Sequence, residues 1–284
     1  MREKALILGE DRSMVGISTD PEREVDARLP ALIVLNSGLI HRVGPYRMSV
    51  KVARRVASEG FLSVRFDLTG VGDSGARRDS SSVGARAVAD TRAVMDHIER
   101  TRGVNRFVLM GLCAGADNSF QTARCDERVV GTILLDGYAY RTRGYYARYY
   151  GRRLADPQVW ARFVKKAVAR ARQAVTRRIA PEATNGQPQY VREFPPRREV
   201  AADLRRMIAR GTKLYFGHTA GMELFYNYAD QLRDAFADVD FRDLLTLEFF
   251  ADADHTFTEL ESQRRLIDSV ASWMKRSFRQ DGAT

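Results

Sequence analysis

The sequence predicts an α/β protein with a mostly parallel sheet flanked by helices, and three observations carry that expectation. Short runs rich in Val, Ile and Leu alternate with stretches of helical spacing, the pattern of βαβ units. The runs lack in–out alternation, so they read as strands buried on both faces. The 284 residues, 44% hydrophobic and 29% charged, suffice for one large domain with an inserted segment and exclude a disordered chain. In order, residues 5–8 and 14–18 are expected as an antiparallel edge hairpin. Residues 32–35, in PALIVLNSG, form the first buried strand. Residues 48–59 follow as a helix with Val50, Val52, Ala53, Val56 and Ala57 on one face, stopped by Gly60. A strand at 62–66 leads into the loop LTGVGDSG, and a helix at 88–102 presents Val88, Val94, Met95 and Ile98. Next come a strand at 107–110, a glycine-flanked turn, a helix at 114–123 and a strand at 129–135. Strands at 213–216 and 245–250 and an amphipathic helix at 260–278 complete the pattern.

Between the strand ending at 135 and the one beginning at 213 lies a different kind of sequence. Residues 141–210 hold 18 Lys and Arg against five acids, a net +13 in a chain whose total is +10. Tyr138, Tyr140, Tyr145, Tyr146, Tyr149, Tyr150 and Trp160 fall in or beside it, and a Pro- and Gly-containing break spans 181–196. The expected division is therefore a core of 1–137 and 211–284 with a basic, Tyr-rich helical insert at 138–210. Such a segment suits an acidic protein or an anionic substrate; a set of solvated Arg-faced helices is the plainer alternative. Without a recognised nucleic-acid motif, nucleic acid is the weaker partner, and no heptads occur. Two cysteines, Cys113 and Cys125, are too few for a disulfide framework. No run of about 18 apolar residues offers a membrane span, and MREKALILGEDRS lacks the long apolar stretch of a signal peptide, which together suggest a cytoplasmic protein. The sequence contains no metal-binding constellation, and GVGDSG does not have the spacing of a dinucleotide fingerprint, so neither metal nor cofactor is expected.

The sharpest local signal is Gly111-Leu112-Cys113-Ala114-Gly115, placed where a strand ends and a helix begins. It reads as a Gly-x-nucleophile-x-Gly elbow with Cys in place of Ser. The nucleophile of such an elbow sits in a strained turn, so the residues two before and two after must lack bulk. The turn lifts the sulfur from the sheet, the N–H of Ala114 points back toward it, and the helix N-terminus favours the thiolate.

The segments GPYR, VRFDLTGVGDSG, GLCAGAD and LLDGYAYRT followed by GYYARYY, together with the order of elements, make the chain resemble the α/β-hydrolase fold over nearly its whole length. More specifically, it resembles exosortase-associated bacterial hydrolases and the thioesterase-like enzymes around them. The resemblance implies a helical lid at 138–210 and a nucleophile–His–acid triad, and Cys is a natural option at the elbow of such relatives. The triad base of this fold follows the last strand, which selects His255 among His41, His97, His218 and His255; His218 is its rival and His41 is placed to line the pocket. Two acids fit. Asp136 has the placement seen in thioesterase domains of carrier-protein assembly lines, and Glu223 the commoner hydrolase placement. Either would accept from the base and hold its tautomer. Asp67 and Asp73 belong to a loop general to the fold. The turn Asn36-Ser37-Gly38-Leu39 should supply a second oxyanion donor, the N–H of Leu39, beside that of Ala114.

These residues point to an acyl-thioester or ester hydrolase or acyl transferase that passes through a thioester acyl-enzyme. A thioester is readily attacked by carbon and nitrogen nucleophiles, which tilts the reading toward transfer or cyclisation. Tyr138, Tyr140, Tyr145 and Tyr146 are the candidate substrate-binding residues. A small-molecule acyl substrate carried on an acidic carrier protein or CoA suits the cationic, aromatic insert. Two alternatives stay open: a catalytically silent scaffold binding an acidic partner, and a carbon–carbon hydrolase or lyase on the same triad.

Overall fold

The computed structural model describes residues 1–9, 12–76, 81–154 and 194–279. Eight strands form one sheet: β1 (Arg2–Leu8), β2 (Met14–Asp20), β3 (Ala31–Val34), β4 (Ser63–Phe66), β5 (Phe107–Leu112), β6 (Val129–Leu135), β7 (Lys213–Thr219) and β8 (Leu245–Phe250). Their order across the sheet is β1-β2-β4-β3-β5-β6-β7-β8. The hairpin β1–β2 joins antiparallel to β4, and β4 through β8 are parallel to one another. Seven α-helices are described: α1 (Met48–Ser58), α2 (Val83–Arg102), α3 (Ala114–Ala123), α4 (Arg143–Leu154), α5 (Arg197–Ala209), α6 (Gln231–Ala235) and α7 (Leu260–Phe278).

The continuous apolar runs are explained by a core on each side of the sheet. Along β3, Ala31 and Ile33 face one cluster while Leu32 and Val34 face the other; along β5, Phe107 and Leu109 part in the same way from Val108 and Met110. The first face is covered by α2, α3 and α5, through residues such as Val94, Met95, Phe120, Leu204 and Met207. The second is covered by α1 and α7, with Val52, Val56, Val270, Trp273 and Met274. A strand buried on both sides needs apolar residues at every position, which is why no period of two is visible.

Several boundaries differ from the sequence expectation for identifiable reasons. Helix α2 begins at Val83, five residues before the predicted start, because Ser82 caps it by accepting from Ala85 N at 3.3 Å. In its first turn Val83 and Ala85 are exposed, so they belong to no buried apolar face. Strand β7 continues past Phe216 through Gly217, His218 and Thr219, a small-and-polar stretch that is nevertheless buried and paired with Glu248, Phe249 and Phe250 of β8. The basic count also hid an apolar stripe. Val200, Leu204, Met207 and Ile208 are spaced to share one side of α5, and they pack in the same cluster as Leu214 and Phe216 of β7. Helix α5, placed by sequence with the insert, thus lies on the sheet, tied to α3 by Arg124 on Asp203 at 3.2 Å. The remainder of the insert at 155–193, including Trp160 and most of the 181–196 break, lies outside the described residues. No helix among the described residues is long and apolar enough to cross a membrane.

Candidate active site

The carboxyl ends of the parallel strands gather the candidate residues at one end of the sheet, the usual ligand side of such folds. Cys113 follows β5 and is the residue on which α3 starts, with φ 57° and ψ −120°. A non-glycine residue at positive φ is strained by about 1–3 kcal/mol and persists only when its surroundings over-determine it. Here they do. The Cys113 N–H donates to Leu135 O at 2.8 Å, and its carbonyl accepts from Ala116 N at 2.9 Å. Both flanking glycines are sterically required. A Cβ on Gly111 would lie 2.0 Å from Gly115 C, and one on Gly115 would lie 2.5 Å from Asn36 O. The first contact seats helix α3 on strand β5, and the second brings the 36–40 turn against the elbow. The Ala114 N–H belongs to the first turn of α3, where amide protons point out of the helix.

Asp136 follows β6, also at positive φ (45°), with its N–H donating to Gly217 O at 2.8 Å. Its carboxylate is wholly buried and accepts three hydrogen bonds of 2.8 Å: from Thr219 N on Oδ1, and from Thr219 Oγ1 and His255 Nδ1 on Oδ2. A carboxylate can only accept, so Nδ1 of His255 carries the proton and Nε2 remains to meet the sulfur of Cys113, to which the ring is also hydrogen-bonded. Contact with the Asp136 carboxylate, then with Cys113, pushes the His255 pKa up to about 9, against the opposing effect of burial. A sulfur that touches such an imidazolium at a helix N-terminus is in the setting that favours thiolate. The structure therefore joins Cys113, His255 and Asp136 into one hydrogen-bonded chain.

The neighbouring residues of the His255 loop are occupied elsewhere. Asp254 accepts from Thr258 N at 2.7 Å and from Thr256 Oγ1 at 3.2 Å, and Asp252 pairs with Arg265. Sequence reasoning missed two residues that hold this region. Thr219 grips the acid through two donors, and Gly221 lets the turn after β7 close on the histidine loop: a Cβ there would lie 2.4 Å from His255 N. Neither residue has a signal in a single sequence, because both act on partners dozens of residues away. Glu223, the other candidate acid, is exposed just beyond that turn.

The remaining candidates are distributed as follows. Leu39 lies in a turn closed by Ile40 N donating to Ser37 O at 3.1 Å, and the residue is 86% exposed. The turn is held from behind by Asn36, which donates to Ile40 O and to Asp67 Oδ1 and accepts from Leu68 N. His41 lines a small cavity of about 10 Å³ behind the elbow together with Asn36, Ser37, Met48, Gly111 and Leu112. Its Nδ1 accepts from Val43 N at 3.2 Å, and its Nε2 lies 3.2 Å from Asp73 Oδ2. His41, Asp67 and Asp73 come close enough to share a cation, and the Arg42 guanidinium already sits against both carboxylates in that role. Tyr138 and Tyr145 are buried. Tyr138 OH accepts from Gln121 Nε2, and Tyr145 OH donates to Leu224 O. Tyr140 is half-buried, donates to Pro195 O at 2.6 Å and packs edge-on against Phe236, while Tyr146 is exposed and stacks on Tyr150. Three of the four tyrosines thus have their hydroxyls engaged, by Gln121, Pro195 and Leu224. His97 is mid-helix and His218 is buried, stacked on Tyr226 with ring centroids 3.7 Å apart. A larger cleft, of about 420 Å³, opens beside α2 between Ser13, Thr69, Asp90 and Arg100, and no candidate catalytic residue lines it.

Comparison with known proteins adds the following. The family model for serine aminopeptidase, S33, matches residues 27–272. No curated protein matches in sequence. By structure the chain is similar to the esterase Pf2001 of Pyrococcus furiosus, with a TM-score of 0.61 and 15% identity over 98% of this chain and 91% of that one. It is also similar to XC6422 of Xanthomonas campestris, described as an α/β serine hydrolase without lid, with a TM-score of 0.56 and 17% identity over 99% and 96% of the two chains. An esterase domain from a Rhodothermus marinus protein gives a TM-score of 0.56 and 14% identity over 97% and 99%. At these identities the likeness is one of fold, and it establishes the α/β-hydrolase architecture. At the elbow, where the family description and the Xanthomonas protein's name speak of serine, this chain carries cysteine.

Proposed function

The chain belongs to the serine aminopeptidase S33 family, and from that premise we propose that it is an acyl-thioester or ester hydrolase or acyl transferase acting through Cys113, His255 and Asp136. One observation carries the reading: a single imidazole hydrogen-bonds both the buried Asp136 carboxylate and the elbow sulfur. The Cys113 thiolate adds to the acyl carbon, and the carbonyl electron pair moves to oxygen, facing the Ala114 N–H and the 36–40 turn, where Leu39 N–H is the expected second donor. Collapse re-forms the carbonyl and expels the leaving alkoxide or thiolate, which takes the Nε2 proton of His255 and leaves a thioester on Cys113. Water or another acceptor then gives its proton to His255 and attacks the thioester, and Cys113 departs as thiolate. Asp136 keeps the Nδ1 proton in place and stabilises the imidazolium at each stage.

A small-molecule acyl group carried on an acidic carrier protein or CoA is the substrate class best matched to the net +13 of residues 141–210. The test is turnover of p-nitrophenyl acyl esters and acyl-CoA thioesters by the intact chain and by Cys113→Ala, with intact-mass detection of the trapped acyl-enzyme. The expected result is an acyl adduct on Cys113 and at least a ~10³-fold loss of turnover in Cys113→Ala, as for removal of other triad nucleophiles. Full activity in Cys113→Ala rules the mechanism out.

A further inference from the structure

Thr219 is the last residue of β7 and touches neither the elbow nor the histidine ring in any described hydrogen bond, yet it supplies two of the three described donors to Asp136. Its N–H fixes Oδ1 at 2.8 Å, and its hydroxyl donates to Oδ2 at 2.8 Å, the same oxygen that accepts from His255 Nδ1. Two bonds from one residue to both oxygens leave the carboxylate a single orientation, with Oδ2 toward the ring. They also share out the negative charge of Oδ2 between the hydroxyl and the imidazole. Asp136 is fully buried beside these donors, out of reach of bulk solvent. We infer that Thr219 is a positioning residue of the catalytic site: it aims Asp136 at His255 and limits how strongly the carboxylate holds the imidazolium proton. The inference rests on the triad reading for its catalytic consequence, whereas the effect on the His255 ring follows from the geometry alone.

The groups acting on the ring are Asp136 and the Cys113 sulfur; Asp254 and Asp252 on the same loop are engaged by Thr256, Thr258 and Arg265. Removing the Thr219 hydroxyl leaves Oδ2 with the imidazole as its principal partner, so the ring should hold its proton to higher pH and release it less readily to a leaving group. The substitution is Thr219→Val, nearly isosteric and retaining the backbone donor, with Thr219→Ser as the variant that restores the hydroxyl. The His255 ring is titrated by NMR in the intact chain, and kcat and KM are measured on a p-nitrophenyl acyl ester. In Thr219→Val the ring titration should rise by about half a unit to one unit, and kcat should fall about tenfold with KM within about twofold. Thr219→Ser should return both to the parent values. A Thr219→Val protein that melts earlier but titrates and turns over as the parent does overturns the inference, because a purely structural threonine predicts that outcome. If Thr219→Val does not fold, Thr219→Ala against Thr219→Ser decides the same question. The ring titration is independent of turnover, so a shifted ring with unaffected Cys113→Ala activity would refute the triad reading while leaving the role of Thr219 toward the ring intact.

Discussion

Replacing Gly111 by alanine should disable the protein at one atom. The added Cβ would meet Gly115 C at 2.0 Å, Gly115 O at 2.2 Å and Ala116 N at 2.5 Å. Non-bonded carbons settle at about 3.5–4.0 Å, so the first turn of α3 must withdraw from β5 by roughly 1.5 Å. All three obstructing atoms are backbone, so no side-chain rotation relieves the clash. Overpacking costs typically ~1–3 kcal/mol, and this site belongs at the upper end. For a chain of this size that is a fall in Tm of roughly 6–12 °C. The catalytic effect should be larger than the stability effect. Withdrawing α3 carries Cys113 away from His255, and a misplacement of about 1 Å can cost on the order of 10²-fold in rate. Gly137→Ala is the matched control, since its Cβ would find Ala116 Cβ at 3.4 Å and Leu134 Cβ at 3.6 Å, ordinary contacts. Thermal melts and the rate of Cys113 acylation by an activated ester, measured on both variants, give the comparison. If Gly111→Ala melts and acylates like Gly137→Ala, the steric account of the elbow is wrong.

Further expectations concern the histidine and one helix. His255 binds its proton more tightly in the folded chain, at a pKa of about 9, than an ordinary histidine at 6.5. Its contribution to stability is therefore complete below about pH 6.5 and is lost as pH rises through about 9, a fall measurable by urea unfolding between pH 6 and 10. Asp136→Asn should flatten that slope and return the His255 titration by NMR toward the ordinary range; an unchanged titration would separate the acid from the ring. Gly84→Ala, in the exposed first turn of α2 with nothing within 4 Å of the new Cβ, should stabilise by about 0.4–1 kcal/mol, seen as a small rise in the unfolding midpoint.

Much of the frame was legible because it is written in contiguous residues. The apolar runs of β3 through β6 declare strands buried on both faces, and the glycines around Cys113 declare a turn with no room for side chains. The resemblance pointed to His255 by its place after the last strand, and the structure sets its Nδ1 2.8 Å from Asp136 Oδ2. Less visible were the features made by pairs of distant segments. The end of β7 escapes the apolar pattern, and its pairing through Gly217, His218 and Thr219 is set by β8. Helix α5 reads as part of a cationic insert until its stripe meets β7 across the first core.

The choice between Asp136 and Glu223 marks the boundary most clearly. Local sequence offered two acids, each following a strand, as partners for a histidine, a cysteine in a glycine-flanked turn, and a strongly basic stretch between strands. Which acid reaches the ring was decided by tertiary structure. The positive φ of Asp136, the bond from its N–H to Gly217 and the two donors of Thr219 turn one carboxylate inward, while the chain after β7 leaves Glu223 exposed. The reason is physical: periodicity and turn chemistry are set by neighbours within a few residues. A buried carboxylate is oriented only by donors that folding delivers, here from 83 and 119 residues farther along the chain.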